Sequence, residues 1–207
     1  MIDRRSLVTG ASALTAFGVF SVANAAQATK SASEQLGVTF DAIFNAVVDH
    51  SPTTATSLGL DTGARAKLKS ELDPVTPAEQ KRYVTFLKKS VASLKAISRD
   101  KLSGMDRINY DAVLWDLSQN LSVSEAFDFG SLSSPYIITQ LSGSYISVPD
   151  FLDSQHSIET KADAEAYLAR LKAYAVLLDQ ETAKFRVDVA KGVIAPDFAL
   201  KKGITQL

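Results

Sequence analysis

The chain has 207 residues, 46% of them apolar, enough to bury a core and to form one domain or at most two. Lys and Arg number 22 against 23 Asp and Glu, which leaves neither a basic field for nucleic acid nor an acidic tail. Cysteine is absent, which excludes disulfides, thiolate metal sites and a cysteine nucleophile.

At the N-terminus Arg4 and Arg5 stand ahead of Ser6, Leu7 and Val8, and no further charge occurs until Lys30. This pattern reads as a twin-arginine export signal over residues 1–25, with Ala23-Asn24-Ala25 as a small-residue cleavage site and cutting expected after Ala25. The alternative is an uncleaved membrane anchor, because the uncharged run is long enough to span a bilayer. Export implies a periplasmic or secreted protein that meets the membrane only in transit. Residues 26–33 are small and polar and read as a flexible leader.

From Ser33 to Asp49 the apolar residues Leu36, Phe40, Ile43, Phe44, Val47 and Val48 share one helical face, and His50-Ser51-Pro52 ends the pattern. Pro52, Gly59 and Gly63 then punctuate a loop or short helical turns. Thr76-Pro77-Ala78-Glu79 places a capping threonine, a proline at the first helical position and a glutamate able to complete a capping box. The helix it opens carries Tyr83, Phe86, Leu87, Val91, Leu94 and Ile97 as a buried stripe, with Lys81, Arg82, Lys88, Lys89 and Lys95 solvating other faces. Ser103 and Asp106 open another helix, whose apolar residues from Ile108 through Trp115 to Leu121 cover more than one face and so predict burial between neighbours.

Residues 127–151 turn to serine, glycine and aromatics, with no alternation long enough for a sheet. They read as an irregular connector with one or two helical turns, short strands being the alternative. The longest helical pattern follows. Thr160 with Asp163 makes a short-armed capping box, and Gly192 with Pro196 makes the stop. Tyr167, Leu168, Leu171, Ala175, Leu178, Phe185 and Val189 draw its stripe, on which a packing partner is expected. Four long helical patterns with short connections predict an all-α, multi-helix assembly with one long helix near the C-terminus.

Chemistry-bearing motifs are few. His50 and His156 are the only histidines and lack the spacing of helical metal ligands. Nucleophile elbows, glycine-rich phosphate loops and calcium loops are missing from the sequence. A carboxylate pair assembled in space stays open as a third kind of site. The connector residues Gln140, Ser142, Tyr145 and His156 are the candidates for substrate binding, since loops held by rigid helices concentrate binding groups. The alternative is structural, with Tyr145 and His156 satisfying backbone carbonyls where a helix begins.

The runs SPTTATSLGLDTG, NYDAVLW and ITQLSGSYISVPDFLDSQHSIETKADAEAYLARLKAYAVLLDQ, followed by GVIAP, carry a resemblance over most of residues 34–207. In this succession the chain resembles the N-terminal half of the bacterial family designated domain of unknown function 885. The resemblance implies a mostly helical, exported protein related to zinc-dependent peptidases, with the histidine-glutamate metal motif and a Pro-Gly-His run in a C-terminal half. That half has no counterpart in this sequence, so the resemblance implies an incomplete larger fold without catalytic residues or a metal site of its own. Zinc and a peptide substrate belong to the full-length form, and the connector is carried over only as one wall of a peptide cleft. A free-standing periplasmic helical binding or scaffold module is the competing expectation.

Overall fold

The computed structural model describes residues 30–131 and 133–206. The expected export signal with Arg4, Arg5, Ala23 and Ala25 lies outside the described residues. Seven α-helices and two 3-10 segments make up the described chain, which contains no β-strand beyond one isolated bridge between Thr139 and Ser142. The assembly is all-α, as the hydrophobic periodicity predicted.

Helix α1 (Ala32–His50) starts inside the stretch expected to be leader, because Ser31 caps it: Ser31 Oγ accepts from Glu34 N at 3.2 Å, and the Glu34 carboxylate accepts from Ser31 N at 2.7 Å. Ser51 closes α1 and at once caps α2 (Pro52–Ser57), whose first residue is a proline suited to that position. A 3-10 segment (Gly63–Ser70) leads to α3 (Pro77–Lys95), and a second (Arg99–Lys101) leads to α4 (Gly104–Ala126). Thr76 caps α3 as expected, but the box stays open, since the Glu79 carboxylate turns to Arg82 at 2.5 Å. The connector contains a three-turn helix α5 (Ser144–Ser154), then α6 (Lys161–Ala190) and a short α7 (Asp197–Ile204). Gly192, at φ 82°, ends α6 in the left-handed conformation that glycine adopts without strain.

Three apolar clusters hold these elements. Leu36 of α1, Leu87, Val91 and Leu94 of α3, and Tyr110 and Leu117 of α4 form the largest. Val148, Phe151 and Leu152 of α5 pack with Leu72 and Leu177 of α6. Val48, Ala55 and Leu68 form the third, at the junction of α1, α2 and the first 3-10 segment, which itself packs on α6.

Two expectations are corrected. Helix α4 is not sandwiched: α1 and α3 cover one side, and Ile108 and Trp115 stand 59% and 63% exposed on the other. Helix α6 does not bury the stripe its apolar spacing draws. Its buried positions are Asp163, Arg170, Leu177, Glu181 and Asp188, while Leu168 and Leu171 of the expected stripe are 57% and 42% exposed. The inward face of α6 is mostly charged: Leu177, with Tyr167 and Tyr174 beside it, packs on the apolar side of α5, and the charged positions are met by polar groups.

Leu87 is fully buried in the largest cluster, whereas Trp115 meets water. Leu87→Ala is expected to cost about 2–5 kcal/mol in urea unfolding, and Trp115→Ala less than about 0.5 kcal/mol. Equal losses at the two positions would contradict this assignment of the core.

Candidate functional site

The inward face of α6 carries the densest polar chemistry in the described chain. At its first turn the side chain of Thr160 accepts from Asp163 N, and Asp163 Oδ2 accepts from Thr160 N at 2.8 Å and Glu159 N at 3.2 Å. Lys69, from the first 3-10 segment, pairs with the other carboxylate oxygen. These donors, Lys69 foremost, hold the Asp163 carboxyl well below the usual carboxylate range. A capping box thereby doubles as a clamp between α6 and the segment Gly63–Ser70.

Two turns on, Arg170 is fully buried. Its Nε donates to Glu71 O at 2.9 Å, Nη1 to His156 Nδ1 at 2.6 Å, and Nη2 to Thr56 Oγ1 at 2.6 Å and Leu68 O at 3.1 Å. Its guanidinium carbon lies 4.8 Å from the centre of the Phe151 ring. Among the described residues no carboxylate bonds the guanidinium directly. Thr56 stands between, its hydroxyl 2.8 Å from the buried Asp61 carboxylate. Burial lowers the Arg170 pKa, and the charges of Asp61 and Asp73 oppose that effect.

His156 is fixed by the same node. A guanidinium only donates, so Nδ1 is the acceptor; Nε2, 3.1 Å from Asp163 O, then carries the hydrogen. Both ring nitrogens are engaged, and the ring stands edge-on to Tyr167.

Further along, Glu181 reaches the start of α5. Gly143, at φ 124°, has no side chain with which to cap that helix; Ser144 N donates to the two Glu181 oxygens at 3.0 and 3.1 Å, and Ser144 Oγ donates at 3.2 Å. Burial pushes the Glu181 carboxyl up, and the bonds from Ser144 pull against it. The buried Asp188 pairs with Lys184 through one oxygen, and its other oxygen has no partner among the described residues.

The four connector candidates do not form one group. Tyr145, at the start of α5, donates from its hydroxyl to Thr139 O at 2.8 Å and lies 3.0 Å from the Gln206 side-chain amide. A Cβ at Gly203 would come within 3.0 Å of that hydroxyl, so α7 closes against the connector here. Ser142 pairs with Thr139, and the side-chain oxygen Oε1 of Gln140 is buried with no partner among the described residues. His156 lies past the far end of α5, which at about 1.5 Å per residue puts roughly 16 Å of helix between it and Tyr145. Nor do the larger cavities include them. One of about 590 Å³ lies among Asp61, Gly63, Lys69, Ser70, Asp163 and Glu165, and one of about 550 Å³ among Val75, Pro77, Gln80, Gln180, Lys184 and Val187.

A family model described as "Bacterial protein of unknown function (DUF885)" matches residues 52–207, most of the chain. The chain belongs to the DUF885 family. Comparison with curated proteins and with solved structures gave no match. The match begins at Pro52, so it takes in α2, both 3-10 segments and every later helix, including all of Arg170's partners.

The zinc implied by the resemblance does not fit the residues described in this DUF885 chain. No three His, Cys, Asp or Glu side chains come together as a metal-holding group among the described residues. His156 has no free ring nitrogen, and a ligand needs one.

Arg170, Thr56, Asp61, Glu181 and Asp188 were not singled out in the sequence. For the three on α6 the signal was the run of charged residues at seven-residue steps, Asp163 to Arg170 and Glu181 to Asp188, which marks a helix face as an apolar stripe would; Thr56 and Asp61 carried no such signal.

Two experiments test this interior. Arg170→Lys cannot reach the separated acceptors with one ammonium, and orphaning them should cost about 3 kcal/mol or more in urea unfolding; a loss below 1 kcal/mol on the order of a surface change would contradict the node. The second concerns pH. The folded-state pKa of Glu181 is raised from 4.5, so its contribution is fully present below that value and is lost as pH rises through the raised one. Asp163 is lowered from 3.8, so its contribution is present above that value and is lost as pH falls through the depressed one. Glu181→Gln should therefore gain stability relative to the native chain as pH climbs from 4.5 toward neutrality; a difference constant with pH would contradict the buried charge.

Proposed function

We propose that this chain is the helical N-terminal portion of an exported, metallopeptidase-like protein whose zinc-binding half is a separate stretch of sequence, and that it is inactive by itself. The observation that carries the reading is the use made of the interior side chains. His156, Arg170, Asp163 and Glu181 bond to one another, to Thr56 and Lys69, and to backbone groups at helix starts and in the first 3-10 segment, which supports a scaffold role. Membership of DUF885 supports the link to the family, and the paired arginines Arg4 and Arg5 support export through the twin-arginine route to the periplasm or beyond.

In this reading the connector turn with Gln140 and Tyr145 walls one side of a peptide cleft, and His156 supports that wall from the interior. The outward Met105, Ile108 and Trp115 of α4 give the metal-binding half an apolar surface to cover. A second reading, a free-standing periplasmic binding or scaffold module, is favoured by the three apolar clusters and the internally capped helices, which need no other chain to close them.

The purified chain supplied with zinc is expected to leave a mixed peptide substrate intact. Zinc-dependent hydrolysis that disappears when a residue of this chain is changed would contradict the scaffold assignment.

A further inference from the structure

The outward side of α6 has a pattern that the interior explains only near its C-terminal end, where Phe185 lies beside Tyr136, Ile137 and Ile138 of the connector. Ala164, Leu168, Leu171, Ala175, Leu178, Thr182, Phe185 and Val189 follow one another in alternating steps of four and three. That spacing is the seam of a helix built to lie along another helix. Leu168, Leu171, Ala175 and Thr182 are exposed, and Leu178, Phe185 and Val189 are half-buried. Beside the seam, on the side away from the body, stand Glu165, Lys172, Asp179 and Arg186, seven residues apart, all exposed and alternating in sign. Lys172, Asp179 and Arg186 make no ion pair among the described residues, and Glu165 only touches the exposed Lys161 at 3.4 Å.

We infer that this face pairs with the same face of a second copy of the chain, the two α6 helices running antiparallel about a two-fold axis near residue 176. A two-fold perpendicular to the helices makes the contact reciprocal. It sets Lys172 against Asp179 of the partner subunit and Glu165 against Arg186 of the partner subunit, and both pairs occur twice. The same axis sets Ala175 against Leu178 of the partner subunit at the centre and Leu168 against Phe185 of the partner subunit toward each end, a small residue facing a large one at the point of closest approach. Every flanking charge meets its opposite. Parallel pairing has no such match, because the other flank of the seam is Tyr167, Tyr174, Glu181 and Asp188, which are turned into the chain's own body. The inference is independent of the peptidase reading, since it concerns the outer side of α6 and requires no activity.

The test is sedimentation equilibrium of the chain, with helical content checked by circular dichroism. A dimer is expected that weakens with salt. Lys172→Glu places like charges together at two symmetric points and should raise the dissociation constant roughly tenfold or more. Asp179→Lys should do the same, and the two changes combined should restore the dimer. The chain lacks cysteine, so single introduced cysteines report geometry without background. Ala175→Cys, near the axis, should be joined to its copy by a short bis-maleimide linker. Glu165→Cys should not, its two copies lying about 32 Å apart at 1.5 Å per residue. A monomer at every concentration, a dimer insensitive to the folded charge variants, a combined variant that stays dissociated, or linking at residue 165 as efficient as at 175 would each overturn the proposal.

Discussion

A fully buried guanidinium that no carboxylate of the described residues touches must satisfy its hydrogens on carbonyls, hydroxyls and ring nitrogens. Arg170 does so with groups that the chain brings from far away: Thr56 lies 114 residues earlier, Leu68 102 and Glu71 99. Leaving any of these unmatched inside the protein is expensive, so the bonds form together or not at all. That requirement ties α2 and the following 3-10 segment to the middle of α6, and His156 extends it to the end of α5. The cluster around Leu68 and the cluster around Phe151 are joined through this polar junction rather than through a common greasy layer.

The same constraint explains why α6 turns its charged side inward. An apolar helix face gains by burial against other apolar surface, about 25 cal/mol for each Å² covered. The loop and 3-10 segment facing α6 present carbonyls and hydroxyls instead, and only donors and acceptors can match them. Asp163 is met by a lysine and the amides of a helix start, and Glu181 by the amide that Gly143 cannot cap. With those residues committed to the interior, the apolar seam of the helix is carried round to its flank. A charged interior and an outward apolar seam are two results of one choice of face.

How legible this was in the sequence depends on the kind of signal. Helices α1, α3 and α6 were readable because their caps and periodicity are local: Thr76-Pro77 starts α3, and Thr160 with Asp163 starts α6, with bonds that span three residues. The class of the fold followed from the same features. The orientation of α6 was not readable, because the stripe rule assumes an apolar environment and the environment here is set by carbonyls roughly a hundred residues away. The exposure of Trp115 escaped for a related reason: breadth of apolar positions on α4 says that the helix has several greasy faces, and only the positions of α1 and α3 decide which is covered. Among the candidate residues, the sequence placed His156 and Tyr145 on one connector, and the intervening helix α5 separates them. Arg170, which was not singled out in the sequence, is the common partner of His156 and Thr56.

In this member of DUF885 the helices matched by the family model are tied together by an interior of paired and hydrogen-bonded charged groups, with the connector on one end and an apolar seam on the flank of α6. The central claim is that Arg170 and Thr56 act as one unit across the chain, and a double-mutant cycle measures that directly. Unfolding free energies of the native chain, Arg170→Met, Thr56→Val and the double variant should give a coupling of about 1 kcal/mol or more, as for residues sharing one buried network. Losses that simply add, to within about 0.3 kcal/mol, would mean that the two side chains act independently and would contradict the account.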